Sequence, residues 1–470
     1  MGTARLVVWD EKECATVHEA TLRLLAETGV EVRYAPALDV LSKAGAQVEG
    51  TRVRLSAQMV AQALETAPRS WLLKPRGGHT SPLELKDGNS YFGTGSDVLF
   101  VRDPDTHERR RVRKADVEGM AALCERLPNI DFVMSMGLPE DVPQAVDDLA
   151  QVEAMLCGTC KPLLVAPRNG FVLPRIREMA ALCGEAESFA IYAMPSPPLM
   201  HDEDALSKLM VCAELEIPLV YAPAPCAGTT APASVAAAIV VANAEVLSGL
   251  VLHQSIKAGA PFVWGAGVGA MNMRSMVDVY STPGPFLGYQ AQCDLARWYG
   301  LPSFSYAGHS DSKTLDEQWS AEAALTAMLG ALSRATLLHD VGYLEAGLQS
   351  SYESIMLGDH LVSYARAFMA ELRTDDEALA LDEIIAVGPG GNHLARPYTR
   401  RHFREIWQSD LFETTVYDRW RSEGSATLLD RLRQRVAALR AEPRAFQLDE
   451  PTKQQLAGIM DAAAAERPEA

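Results

Sequence analysis

The stretch AGHSDSK (307–313) sets His309 and Asp311 two positions apart, with Lys313 two further on. A histidine and a carboxylate this close could share a proton or begin a metal site, but a metal would need further ligands from elsewhere. A lysine in such a loop could form a Schiff base with a carbonyl substrate. LLHDVGYLEAGLQSSYE (337–353) adds His339, Asp340, Tyr343, Glu345, Gln349 and Glu353. SYFGTGSD holds Phe92 and Asp97, APRN holds Arg168, FVWGAG holds Trp264, and Tyr306 precedes AGHSDSK. The set is rich in aromatic rings and carboxylates. It contains no HExxH and no cluster of thiols.

The elements that must carry these residues follow a regular alternation. Short apolar runs at 90–95, 130–136, 161–166, 189–194, 217–223, 261–267, 301–306 and 335–342 read as strands, and a helical pattern follows each. Nearly all-apolar strands separated by helices imply a parallel sheet covered on both faces. Eight such units predict an α/β fold of the (β/α)8 TIM-barrel type. The alternative is an open doubly wound sheet, but no GxGxxG follows an early strand, and Gly265-Ala-Gly267-Val-Gly269 comes too late to serve as one. In a barrel, reacting groups lie at the carboxyl ends of the strands. All the residues above fall there. Lys161 precedes its strand and so belongs to the opposite end.

The expected organisation is an N-terminal helical and short-strand cap (1–88), the barrel (89–375) and a C-terminal segment (376–470) of helices. VHEATLRLLAETGV reads as a helix closed by Gly29. SAQMVAQALETAP reads as one capped by Ser56. The C-terminal segment opens with GPGGNHLARPYTRRHF (388–403). Its glycines lack the GK[ST] of a phosphate loop, so they are read as a tight turn against the barrel. The tail from about 430 reads as a solvated, charged helix.

Composition narrows the function classes. A net charge of -18 argues against nucleic acid and against a polybasic grip on membrane. The apolar run from Ala231 to Leu252 contains Asn243, Glu245 and Ser248, so it reads as a buried helix rather than a membrane span. The N-terminus lacks the features of a signal peptide, which predicts a cytoplasmic protein. The eight cysteines are scattered, as reduced core thiols are. Cys157-Gly-Thr-Cys160 is read as small residues ending a helix rather than a redox or metal pair.

Three runs carry a family resemblance: CAGTTAPASVAAAIVVANAEVLSGLVLHQ, GHSDSKTLDEQWSAEAA and GPGGNHLARPYTRRHFREIW. In this order they resemble the trimethylamine methyltransferase superfamily, and the likeness extends from about residue 15 to 440. Such enzymes hand a methyl group from a methylated amine to a corrinoid protein. The archaeal trimethylamine enzymes carry pyrrolysine. This chain has only standard residues and so resembles the branch that includes glycine betaine:corrinoid methyltransferases.

The resemblance implies a quaternary amine substrate, cobalamin carried by a corrinoid partner protein, no tightly bound metal, and a homo-oligomer. Phe92, Trp264, Tyr306 and Tyr343 are the expected cage for the cation, with Asp97 and Glu345 as facing carboxylates. Arg168, His309 or Gln349 could meet a betaine carboxylate, and His309 with Asp311 completes the candidate catalytic set. Two other readings stand beside this one. One is a barrel lyase or aldolase working through Lys313. The other is a betaine-binding homologue without catalysis.

Overall fold

The computed structural model describes residue 2 and residues 4–77 and 81–466. Its centre is a ring of parallel strands: β1 (Tyr91–Thr94), β2 (132–133), β3 (Leu163–Val165), β4 (Phe189–Ala193), β5 (Leu219–Tyr221), β6 (Phe262–Gly265), β7 (Ser303–Tyr306) and β8 (Leu337–Val341). β3 through β8 pair in sequence order and β8 pairs with β1. β2 is reduced to two bridges, Gly93 to Phe132 and Val133 to Leu163, and these close the circle. The expected barrel is therefore present. Beside this thin second strand the Phe132 ring lies against Gly93, where a Cβ would stand 2.3 Å from it.

Eight helices form the outer layer: α1 (Lys114–Arg126), α2 (Asp147–Gly158), α3 (Leu173–Leu182), α4 (Glu203–Leu215), α5 (Val235–Ile256), α6 (Pro283–Trp298), α7 (Glu317–Ser333) and α8 (Tyr352–Phe368). α5 is long and apolar enough to cross a membrane, but most of it is buried under the barrel wall.

Strand side chains alternate between two apolar layers, as the pleat requires. The inward set includes Phe132, Leu164, Tyr192, Val220, Val263, Phe304 and Leu337. The outward set, packed against the helices, includes Phe92, Val133, Ile191, Tyr221, Trp264 and Leu338.

A hairpin, Ser70–Leu73 with Leu83–Lys86, closes the amino-terminal end of the barrel by adding Leu73, Leu83 and Leu85 to the inner layer. Lys161 lies at this same end. Its Nζ donates to the carbonyls of Cys124, Leu127 and Ile130 at 2.6, 2.6 and 2.5 Å, which caps the end of α1. Lys161→Met is expected to cost about 3 kcal/mol of stability, because buried carbonyls lose a charged donor. Thermal unfolding should register this loss while ligand affinity at the far end stays unchanged.

The N-terminal part packs outside the barrel. Its first helix (Glu11–Glu27) starts with a capping box between Asp10 and Glu13, and Gly29 follows its end at φ +72. The Ser56 hydroxyl caps the helix Ala57–Thr66, as expected. A small sheet of Val30–Val32, Arg52–Arg54 and Gln47–Glu49 takes in Met200–His201 from the loop after β4.

Two readings of the C-terminal segment need correction. The helix Glu450–Glu466 is not merely solvated, since it buries Leu456 and Ala463. The GPGG turn does not press on the barrel. Gly388 and Gly390 adopt φ +69 and +75 with nothing within 4 Å of a Cβ placed there.

The thiols of Cys157 and Cys160 are buried and unbonded. Burial lifts both to a pKa of about 11, so neither is an activated thiolate.

Candidate active site

At the carboxyl ends of the strands the barrel opens into a cavity of about 440 Å³, within the range of small-ligand sites. Its aromatic walls are Tyr192 from β4, Tyr306 from β7, His339 from β8, Tyr343 beyond β8, and Tyr280 from the loop before α6. The rings support one another. Tyr306 stacks on Tyr289 of α6 at 4.5 Å between centroids and leans on His339 at 4.6 Å, and Phe304 stacks beneath His339 at 4.2 Å. Burial holds the phenols of Tyr192, Tyr306 and Tyr343 well above their usual pKa, so these walls are neutral.

Two acids line the same space. Asp97 follows β1 in a left-handed turn (φ 58), with its N–H on the Ser135 carbonyl at 2.7 Å. Its carboxyl touches the cavity but is surrounded by protein. Desolvation, then repulsion from Asp148, raises its pKa to about 7. Asp340 ends β8 and is more unusual. It is 1% exposed, its φ is +75, and neither carboxyl oxygen has a hydrogen-bond partner. Its Oδ1 lies 2.6 Å from His339 Nδ1, but the two groups are not aligned for a hydrogen bond, and both histidine nitrogens are also unpartnered. Buried polar groups are almost always satisfied. A strained backbone carrying an unsatisfied acid inside a cavity is the usual mark of a functional position.

Two cations complete the lining, Arg168 after β3 and Lys208 from α4. Asp147 holds the Arg168 guanidinium at 2.7 Å. Among the described residues Lys208 has no ion-pair or hydrogen-bond partner. Burial lowers its pKa, against the pull of Asp202, Asp148, Asp204 and Asp97. Going around the barrel, the acids lie at the ends of β8 and β1 and the cations come from the loop after β3 and from α4, so the cavity is electrically bipolar.

Of the residues expected from sequence, Asp97, Arg168, Tyr306 and Tyr343 line this cavity. The others stand elsewhere. Phe92 and Trp264 occupy outward positions on their strands. The Phe92 ring lies under Arg366 of α8, and Trp264 Nε1 donates to Asn243 of α5 at 3.3 Å. Glu345 turns away to pair with Arg109 at 2.9 Å. Gln349 is buried beside the cavity with its amide on the Lys313 carbonyl at 3.1 Å.

His309 is buried behind the tyrosines, edge-on to Tyr280, Tyr289 and Tyr306. Neither ring nitrogen has a partner, and burial lowers its pKa. Asp311 accepts the backbone N–H groups of Tyr280 and Ser281 and so positions the Tyr280 wall. Lys313 is exposed with its Nζ on the Asp311 carbonyl, outside the cavity, so it is not placed to act as a Schiff-base nucleophile there. No group of three or more His, Cys, Asp or Glu side chains converges to hold a metal ion among the described residues.

Sequence reasoning placed His339 and Asp340 at a strand end without giving them a role, and it passed over Tyr192, Tyr280 and Lys208. A signal existed for two of these. His339-Asp340 interrupts an otherwise apolar strand, and Lys208 interrupts an apolar helix face. Tyr192 lies inside its strand, where only the barrel's inward register reveals it.

The trimethylamine methyltransferase family model matches residues 2–468. The glycine betaine methyltransferase of Desulfitobacterium hafniense (strain Y51) is 31% identical over 423 residues, covering 88% of each chain. The trimethylamine methyltransferase MttB of Methanosarcina barkeri is 27% identical, covering 91% of this chain and 89% of its own. The crystal structure of the monomethylamine methyltransferase (MtmB) of Methanosarcina barkeri aligns with a TM-score of 0.53. It covers 99% of this chain and 89% of that one at 11% identity, a likeness of fold.

Proposed function

Because this chain belongs to the trimethylamine methyltransferase family, we propose that it moves a methyl group from a glycine betaine-type quaternary amine to the cobalamin of a corrinoid partner protein. The observation that carries this reading is the bipolar cavity. Tyrosine faces with Asp97 and Asp340 suit a trimethylammonium group, and Lys208 with Arg168 suits a carboxylate a few bonds away.

The chemistry asks little proton work of the protein. A quaternary nitrogen already bears its charge. When the N–C bond breaks, the electron pair stays on nitrogen and a neutral tertiary amine leaves. Reduced cobalamin supplies the nucleophilic acceptor for the methyl group. The protein's task is to hold the cation with one methyl facing outward and to exclude water. The cavity is suited to an acceptor arriving from outside. It opens at the strand ends, and exposed Met194 and Leu348 stand at its edge.

Asp97 makes binding pH-dependent. With its pKa near 7, the carboxyl is increasingly neutral below that pH and charged above it. Affinity for a quaternary cation should therefore rise as pH rises through 7, and a titration from acid to mildly alkaline pH should show it. The same raised pKa means that native stability falls as pH climbs from the ordinary carboxylate range through 7. Asp97→Asn should flatten both curves.

Lys208→Met separates the two ends of the ligand. Betaine affinity should drop about tenfold, the scale of one charge-assisted contact, while a choline-like cation lacking the carboxylate binds as before. Equal loss for both ligands would count against the carboxylate role.

The decisive assay mixes the protein anaerobically with reduced cobalamin, its corrinoid partner and glycine betaine. Loss of the reduced-cobalamin spectrum, with dimethylglycine formed in equal amount, is the expected result. Activity with another betaine alone would move the substrate. Binding without transfer for every quaternary amine would overturn the methyltransferase reading and leave a binding protein.

A further inference from the structure

The turn Ser310-Asp311-Ser312, between β7 and α7, lies outside the cavity yet is tied to one of its walls. Asp311 spends its carboxylate on backbone. Its Oδ2 accepts the Ser281 N–H at 3.0 Å, and both oxygens stand 3.2 Å from the Tyr280 nitrogen. Glu322, in the second turn of α7, holds the same turn from the other side. Its Oε2 accepts the Asp311 N–H at 2.9 Å and the Ser310 hydroxyl at 2.7 Å, and its Oε1 accepts the Gln318 amide at 2.9 Å. Bonds to a carboxylate are about twice as strong as neutral ones. Two carboxylates in series thus connect an outer helix to the backbone of a cavity wall.

What they hold is otherwise loosely placed. Tyr280 follows a hairpin, Gly269–Asn272 with Val277–Val279, that stands clear of the core. Residues 270–280 are all half-buried or exposed, and Met273, Met276 and Val277 are 59%, 67% and 51% exposed. Segments with so little buried surface open locally unless something pins them. Beyond Asp311, the Tyr280 backbone has the Tyr289 hydroxyl, at 3.4 Å from its carbonyl. The Tyr343 wall depends less on the turn. Ser310 N–H donates to the Tyr343 carbonyl at 3.2 Å, but Trp319 Nε1 donates to the same carbonyl at 2.9 Å, and the Ser96 backbone holds the Tyr343 hydroxyl. Loosening the turn therefore falls chiefly on Tyr280.

We propose that Glu322 is a positioning residue for the cation site: through Ser310 and Asp311 it fixes the Tyr280 backbone and so presents that ring to the ligand. The inference rests on the cation-binding reading of the cavity and gives a role to a helix residue that does not touch it. A wall fixed beforehand spares the ligand the cost of ordering it.

Two measurements on the full chain test this. In the free protein, hydrogen exchange at the Tyr280 and Ser281 amides should quicken by about tenfold or more in Asp311→Ala and by a smaller factor in Glu322→Ala, with the strand amides of the barrel unchanged. Protection at these two amides equal to wild type in both variants would overturn the proposal, whatever the ligand proves to be. Calorimetry with glycine betaine follows the effect into the cavity. Tyr280→Ala and Asp311→Ala should each weaken binding by about tenfold, and Glu322→Ala by about threefold. Glu322→Gln keeps an acceptor for the turn and should bind within about twofold of wild type. A loss in Glu322→Gln as large as in Glu322→Ala would mean that the charge acts directly, against the proposal. On a Tyr280→Ala background, neither Asp311→Ala nor Glu322→Ala should weaken binding much further, and losses that multiply in full would overturn the route through Tyr280. Asp311→Asn, which keeps the shape and one acceptor oxygen, replaces Asp311→Ala if that variant does not fold, with the same directions expected. A wild type that binds no betaine would sink the substrate reading and leave the exchange result to decide this one.

Discussion

Replacing Asp340 with asparagine is expected to weaken betaine binding by about 100-fold while leaving the protein at least as stable as the wild type. Asparagine keeps the size and shape of the side chain but cannot carry a charge. In the native protein the carboxyl is buried, has no hydrogen-bond partner despite the nearby His339 ring, and is held at a φ of +75, all of which cost stability. Such a cost persists where a ligand makes use of it. A trimethylammonium group in the cavity would give the acid its missing counter-charge. Titration calorimetry with glycine betaine and a thermal melt, run on the same preparation, separate the two effects. Betaine affinity equal to wild type, together with a lower melting temperature, would mark Asp340 as purely structural.

Gly95→Ala should damage the same cavity by a steric route. A Cβ at residue 95 would lie 2.2 Å from two ring atoms of Tyr343, far inside contact distance. Tyr343 has little room to yield. Its hydroxyl is held by the Ser96 backbone, and its carbonyl accepts from Trp319 Nε1 at 2.9 Å and from the Ser310 N–H at 3.2 Å. Overpacking of this kind costs about 1–3 kcal/mol, and displacement of an aromatic wall should lower cation affinity by about tenfold or more. Adding Tyr343→Leu to Gly95→Ala should recover stability without recovering binding, because the clash is relieved but the aromatic face is gone. Gly458→Ala, where a Cβ meets nothing within 4 Å, is the neutral control.

Parts of the site were legible in the sequence because barrels concentrate chemistry at strand ends. Asp97, Arg168, Tyr306 and Tyr343 all come from that inventory. Phe92 and Trp264 came from it too, yet they face the helices. An all-apolar strand buried on both faces carries no alternation that tells inside from outside. Glu345 and Asp311 are loop acids whose partners, Arg109 and the Tyr280 backbone, come from distant segments, and no local pattern announces them. The same limit hid Lys208, which reaches the cavity from a helix, and Tyr280, which the Asp311 carboxyl brings in.

The sequence by itself determined the barrel, the order of its eight units and the family, because periodicity and ordered motifs are properties of the chain read in one dimension. Only the tertiary structure decided which side of each strand faces the cavity, that Asp340 and His339 stand there without hydrogen-bond partners, and that the glycine-rich turn stands exposed, away from the barrel. Those are facts of strand register and of contacts between distant residues, and they come into being only when the ring of strands closes.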